Sequence, residues 1–203
     1  MRRGSNPTLW PVLLVSLAIV SVSYGDLTNI APIYGVASAD TYWTNSVPAP
    51  AERVPGRAID GDRWTDWNAG SHATPVNPHW LIVDLQNEYD VLDITLVGIE
   101  RSGGTHFGYT NIYNLYTSTN GTNWTLIASD SWAEHTDPAI HSDTYMLSGD
   151  PLRYVKYEVV GGTHWATIHE IEVFAPVVPA PGAILLGTIG AGLVGWMRRR
   201  RTL

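Results

Sequence analysis

Two carboxylates separated by a single glycine, Asp60-Gly61-Asp62, are followed by Thr65 in a polar stretch of the chain. Gly61 permits a sharp turn, and carboxylates held close in a turn repel one another unless a cation lies between them. Oxygen donors without His or Cys suit a hard ion, Ca²⁺ above all. On these residues alone an acidic surface turn fits as well. The segment is not an EF-hand loop, because Thr65 stands at the sixth position, where that loop needs glycine.

A second group is aromatic and polar. Glu100 and Arg101 close an apolar run and lead into Gly103, Gly104, His106, Phe107 and Tyr109, a stretch too polar and glycine-rich for a core. Trp43, Trp67, His72, Trp132 and Trp165 fall in comparable surroundings. Tryptophan supplies core mass, and it also supplies a flat face for stacking on a ligand. Burial is the expected role of Trp64, Trp67, Trp80 and Trp124, whereas Trp43 and Trp132 stand open between the two roles.

Other chemistry is excluded more firmly. With no cysteine among 203 residues there are no disulfides, thiolate metal sites or cysteine nucleophiles. His72, His106, His135, His141 and His164 lack metal-ligand spacing, and His169-Glu170 is no zinc motif, since Val173 stands where a second histidine is required. Neither a G-x-S-x-G elbow nor a phosphate loop is present. Glu100 and Glu134 are carboxylates available to a glycosidase, but nothing in their spacing supports the pair. The chain is expected not to be an enzyme.

These residues need a scaffold of strands. No useful helical periodicity runs between Asp26 and Ala175, while short apolar runs bounded by turn residues recur. The strand candidates are 79–85, 91–99, 112–118, 124–128, 152–160 and 168–174. In 152–160, Leu152, Tyr154, Lys156, Glu158 and Val160 alternate against Arg153, Val155, Tyr157 and Val159, as in an antiparallel strand with one buried face. Asn120-Gly121 predicts a hairpin, both residues tolerating the positive φ of a tight turn. Strand number and turn spacing predict an all-β antiparallel β-sandwich of jelly-roll type.

The ends read as addressing segments. Residues 1–25 carry Arg2 and Arg3, an apolar stretch and small residues at Ser21, Ser23 and Gly25, the architecture of a signal peptide with its helix. Residues 176–203 carry Pro179 and Pro181, an apolar run over 182–197 and four arginines, and predict a short transmembrane helix with a cytoplasmic end. Between them, residues 26–175 hold six basic against nineteen acidic residues, so the formal −7 of the chain understates the domain's charge. Such a surface repels nucleic acid and disfavours anionic lipid headgroups.

The order AIDGDRWTDW, HWLIVDL, YNLYTSTNGTNW, PLRYVKYEV and ATIHEIEVF is similar to the coagulation factor V/VIII type C (discoidin) domain. In feel it is closest to the family 32 carbohydrate-binding modules, with their galactose-binding-like fold, and to the N-terminal sugar-binding domain of galactose oxidase. The resemblance covers about residues 37–174. It implies a structural Ca²⁺ held by the side chains of Asp60, Thr65 and Glu170 and the carbonyls of Arg57, Asp62 and His169. It also implies non-catalytic carbohydrate binding on loops at one end, with Arg101 and Glu100 meeting hydroxyls and Trp43, Trp67, His72, His106 and Trp132 as further contacts. The alternative is a structural or adhesive surface protein that binds another protein and no sugar. The tail resembles the PEP-CTERM sorting signal, with Val178-Pro179-Ala180-Pro181 where V-P-E-P is usual. That resemblance implies an exosortase as partner, a passing membrane anchor, and delivery to the cell surface or exopolysaccharide matrix of a Gram-negative-type bacterium.

Overall fold

The computed structural model describes residues 27–44, 53–99, 111–132, 140–163 and 165–176. The predicted signal segment and the sorting tail with its helix lie outside these residues. Among the described residues no helix is long and apolar enough to cross a membrane.

Eleven strands are described: β1 (Leu27–Asn29), β2 (Val36–Ala39), β3 (Trp67–His72), β4 (His79–Asp90), β5 (Asp93–Ile99), β6 (Asn111–Ser118), β7 (Thr125–Ser131), β8 (Ile140–Met146), β9 (Pro151–Gly162), β10 (Trp165–Ile168) and β11 (Glu170–Pro176). One turn of helix, α1 (Ala31–Tyr34), and a 3₁₀ turn at Pro55–Ile59 interrupt them. A four-stranded sheet runs β1-β11-β5-β8, a five-stranded sheet β2-β4-β9-β6-β7, and β3 pairs with β10 in a separate ribbon. Every strand pairing is antiparallel. The inward residues of the two large sheets, including Leu81, Val83, Leu85, Ile94, Leu96, Leu115, Val155, Tyr157, Ile171 and Val173, make one core.

Five of the six predicted runs fall on single strands, but the alternation in 152–160 breaks phase. Leu152 is buried, Arg153 and Tyr154 are both half-buried, and burial then resumes at Val155, Tyr157 and Val159. The cause lies on β4, where pairing to β9 slips between Asp84 and Tyr89. Gln86 there adopts a positive φ of 67°, and its N–H donates to Asp84 Oδ1 at 2.8 Å. Arg153 closes the irregularity with two bonds to the Asp84 carboxylate, 2.7 and 2.8 Å, which hold that carboxyl below its ordinary pKa.

The run 168–174 is not one strand. His169 separates β10 from β11, and its N–H donates to the Val97 carbonyl at 3.0 Å. One chain segment therefore serves the ribbon and then the four-stranded sheet.

Candidate functional site

The 3₁₀ turn at Pro55–Ile59 delivers the chain into a loop with Gly61 at φ 80°, a conformation that strains any residue with a Cβ. Thr65 Oγ1 sits among four oxygens: the Arg57 carbonyl at 3.1 Å, the Asp60 carboxylate oxygens at 3.0 and 2.9 Å, and the Asp62 carbonyl at 3.0 Å. A hydroxyl has one proton and satisfies one of them. From the far end of the sequence, Glu170 of β11 reaches the same place, accepting the Gly61 N–H on Oε1 at 2.9 Å. Glu170 is fully buried, and its Oε2 has no hydrogen-bond partner. Burial first, then the neighbouring Asp60 carboxyl, pushes its pKa up to about 8.

This oxygen-rich cluster fits a hard cation. Two carboxylates, a hydroxyl and carbonyls crowd together; backbone N–H groups reach Asp60 Oδ1 and the Asp62 carbonyl, but one buried carboxylate oxygen, Glu170 Oε2, is left over. Among the described residues no group of three or more His, Cys, Asp or Glu side chains is placed to hold a metal. Carbonyl and hydroxyl oxygens supply the rest of this donor set. Asp62 could offer only its carbonyl, since its side chain turns back to accept the Trp64 N–H at 3.0 Å. His169 is buried next to Glu170.

The second site is an aromatic corner beside the β3–β10 ribbon. Trp43 and Trp165 lie with ring centroids 6.1 Å apart at 46°, and Trp165 remains 38% exposed. Trp43 is fixed by its backbone: its N–H donates to the Asn68 carbonyl at 2.8 Å, and its own carbonyl accepts the Arg53 N–H. Gly70 of β3, at φ 74°, lets the strand pass under the indole, since a Cβ there would lie 3.2 Å from Trp43. The Arg53 guanidinium covers the ring at 5.3 Å and pairs with Asp66 at 2.8 Å. Asp66 in turn accepts from Thr167 Oγ1 of β10. Exposed His72 stands opposite Trp165 in the ribbon.

The predicted ligand residues therefore divide. Trp43 and His72 are brought together, and Trp165 joins them. Trp67 is wholly buried, its Nε1 donating to the Thr41 carbonyl, so it belongs to the core and presents no face to a ligand. Trp132 is also buried, packed on Tyr113 and Tyr157 over Gly98 with its Nε1 bonded to Asp143. Trp64, expected in the core, is 63% exposed beside the acidic loop. Glu100, Arg101 and His106 lie outside the described residues. Sequence reasoning missed Arg53 and Asp66, whose pairing joins positions 13 apart through a loop without periodicity.

The chain is 29% identical to galactose oxidase of Gibberella zeae over 172 residues, which is 80% of this chain but 24% of that protein. The chain thus spans about a quarter of the curated relative's length. Among solved structures, the family 32 carbohydrate-binding module of NanJ from Clostridium perfringens, in complex with galactose, superposes with a TM-score of 0.54 at 25% identity, covering 73% of this chain and 98% of that one. CpGH89CBM32-5 from the same organism, in complex with GalNAc-β-1,3-galactose, gives 0.55 at 22% identity, covering 73% and 99%. The model of the F5/8 type C domain matches residues 38–171, most of the chain. With that match over the sandwich just described, the chain belongs to the F5/8 type C domain family.

Proposed function

We propose that this chain is an exported surface or matrix protein whose domain binds carbohydrate, without cleaving it, on a scaffold braced by Ca²⁺. The observation that carries the binding reading is the aromatic corner. Two indoles meet there, Trp43 held by backbone bonds and the paired Arg53 and Trp165 exposed, with an exposed histidine opposite Trp165 in the ribbon. An indole face suits the apolar C–H face of a pyranose, and rigid aromatics lose little entropy on contact. Related modules that carry galactose in their solved structures support the same reading.

In the cation site, Asp60, Thr65 and Glu170 would supply side-chain oxygens and Arg57, Asp62 and His169 carbonyls. The ion would relieve the repulsion between Asp60 and Glu170 and fasten β11 to the early loop, a structural contribution made only in the folded state. Residues 182–197 would anchor the chain in the membrane until an exosortase-type enzyme removes the tail.

The test is a glycan array and polysaccharide pull-down on the full chain, with calcium present or chelated. Trp43→Ala and Arg101→Ala are expected to weaken glycan binding tenfold or more, about 1.4 kcal/mol, while leaving the fold intact. Trp67→Ala is expected instead to lower stability by ~3–5 kcal/mol, because it empties the core. A folded protein that binds no glycan, or a Trp43→Ala variant that binds as well as the parent, would overturn the reading in favour of a structural role.

A further inference from the structure

At the border of the aromatic corner, three side chains form a hydrogen-bonded relay unrelated to the cation site. Ser71 Oγ lies 2.8 Å from His79 Nε2, and His79 Nδ1 lies 2.7 Å from Asp40 Oδ2. The carboxylate can only accept, so a neutral His79 carries its proton on Nδ1 and presents a lone pair at Nε2. In that tautomer the Ser71 hydroxyl donates to the ring. Asp40 is fixed, since its Oδ1 accepts the Trp80 N–H at 2.9 Å and its own N–H donates to the Trp80 carbonyl.

Exposure is distributed as a nucleophile requires. His79 is buried and Ser71 is exposed. The chain turns outward at Gly70, whose positive φ ends the buried part of β3 just before Ser71. Two residues before that turn, buried Asn68 accepts the Gly70 N–H on Oδ1 at 2.7 Å, which holds the turn that presents Ser71.

We propose that Ser71 is a nucleophile toward acyl esters, with His79 as its general base and Asp40 as the positioning residue. Resting on the sugar-binding reading, the ester is an O-acyl group carried by the bound glycan. Ser71 Oγ bonds to the acyl carbon as its proton passes to His79 Nε2, and the ester C–O bond breaks as that proton passes to the departing sugar hydroxyl. Water then attacks the acyl-serine, His79 takes its proton and returns one to Ser71 Oγ, and the carboxylic acid leaves.

The full chain is to be treated with a fluorophosphonate and with p-nitrophenyl acetate, followed by mass mapping of Ser71, and incubated with O-acetylated xylan while free acetate is measured. Labelling at Ser71 with acetate release, both lost in Ser71→Ala, is the expected result. Asp40→Asn frees His79 to take the wrong tautomer and should slow labelling on the order of 100-fold or more at an unchanged melting temperature. An unlabelled Ser71 in folded protein, acetate release that survives Ser71→Ala, or an Asp40→Asn variant that labels at the parent rate overturns the assignment. Labelling by a protein that binds no glycan leaves the nucleophile standing and removes the sugar reading alone.

Discussion

At the residue scale, Glu170 has the most to lose. It is buried with one oxygen unpartnered, and its pKa stands near 8 against an ordinary value of 4.5. Without a cation, folding favours the protonated form. That contribution is complete below about 4.5, shrinks as pH rises, and is gone above about 8. In chelator, the melting temperature is therefore expected to fall between these pH values, and added Ca²⁺ should remove the fall by binding the ionised carboxylates. A scanning-calorimetry series with and without chelator checks this. Glu170→Gln keeps an acceptor for the Gly61 N–H but cannot carry the charge, so it should abolish the rise in melting temperature on adding Ca²⁺. A Ca²⁺ effect undiminished in that variant would exclude the site. Asp60, Gly61, Asp62 and Thr65 were legible in the sequence because they are adjacent. Their meeting with Glu170, 109 residues from Gly61, follows only from the family resemblance.

Elements were legible where hydrophobic pattern governs them. The runs 79–85, 91–99 and 112–118 announce strands, and they became the centre of the sandwich, with residues 94–98 buried on both faces. Short strands such as β1, β2 and β3 carry too little pattern, and their positions come from the neighbours they pair with. The turn at Asn120-Gly121 exists but works differently from the predicted tight hairpin. Gly121 alone has positive φ, while the Asn120 side chain accepts the N–H groups of Thr122 and Asn123, both at 2.9 Å. Gly121→Ala should cost about 1–2 kcal/mol, since an added Cβ meets left-handed strain and the Tyr154 ring at 3.3 Å. Asn120→Ala should cost about 1 kcal/mol for its lost turn bonds. Denaturant melts of the two variants test both figures, and equal stability with the parent would contradict this account of the turn.

At the scale of the molecule, charge separates partners. A domain with nineteen acidic and six basic residues between positions 26 and 175 should avoid vesicles rich in anionic phospholipid. Its affinity for a neutral glycan should change less than about twofold between 50 and 500 mM salt, because no counterions are released. Flotation with vesicles and binding at the two salt concentrations give the check. Steep loss of glycan affinity in salt would point to a charged ligand instead.

The pairing of the first and last described strands has a mechanical consequence. Leu27 lies opposite Pro176, so the chain enters and leaves the domain side by side. Tension between those two points would not shear the sheet. It would open β1 from β11 like a zipper, one rung at a time, a geometry that yields at low force. Load taken by a ligand at the aromatic corner and an anchor beyond Pro176 would instead pass through β11, where Glu170 fastens that strand to the loop at Gly61. The domain therefore resists a pull between its body and the end of β11 better than a pull between Leu27 and Pro176.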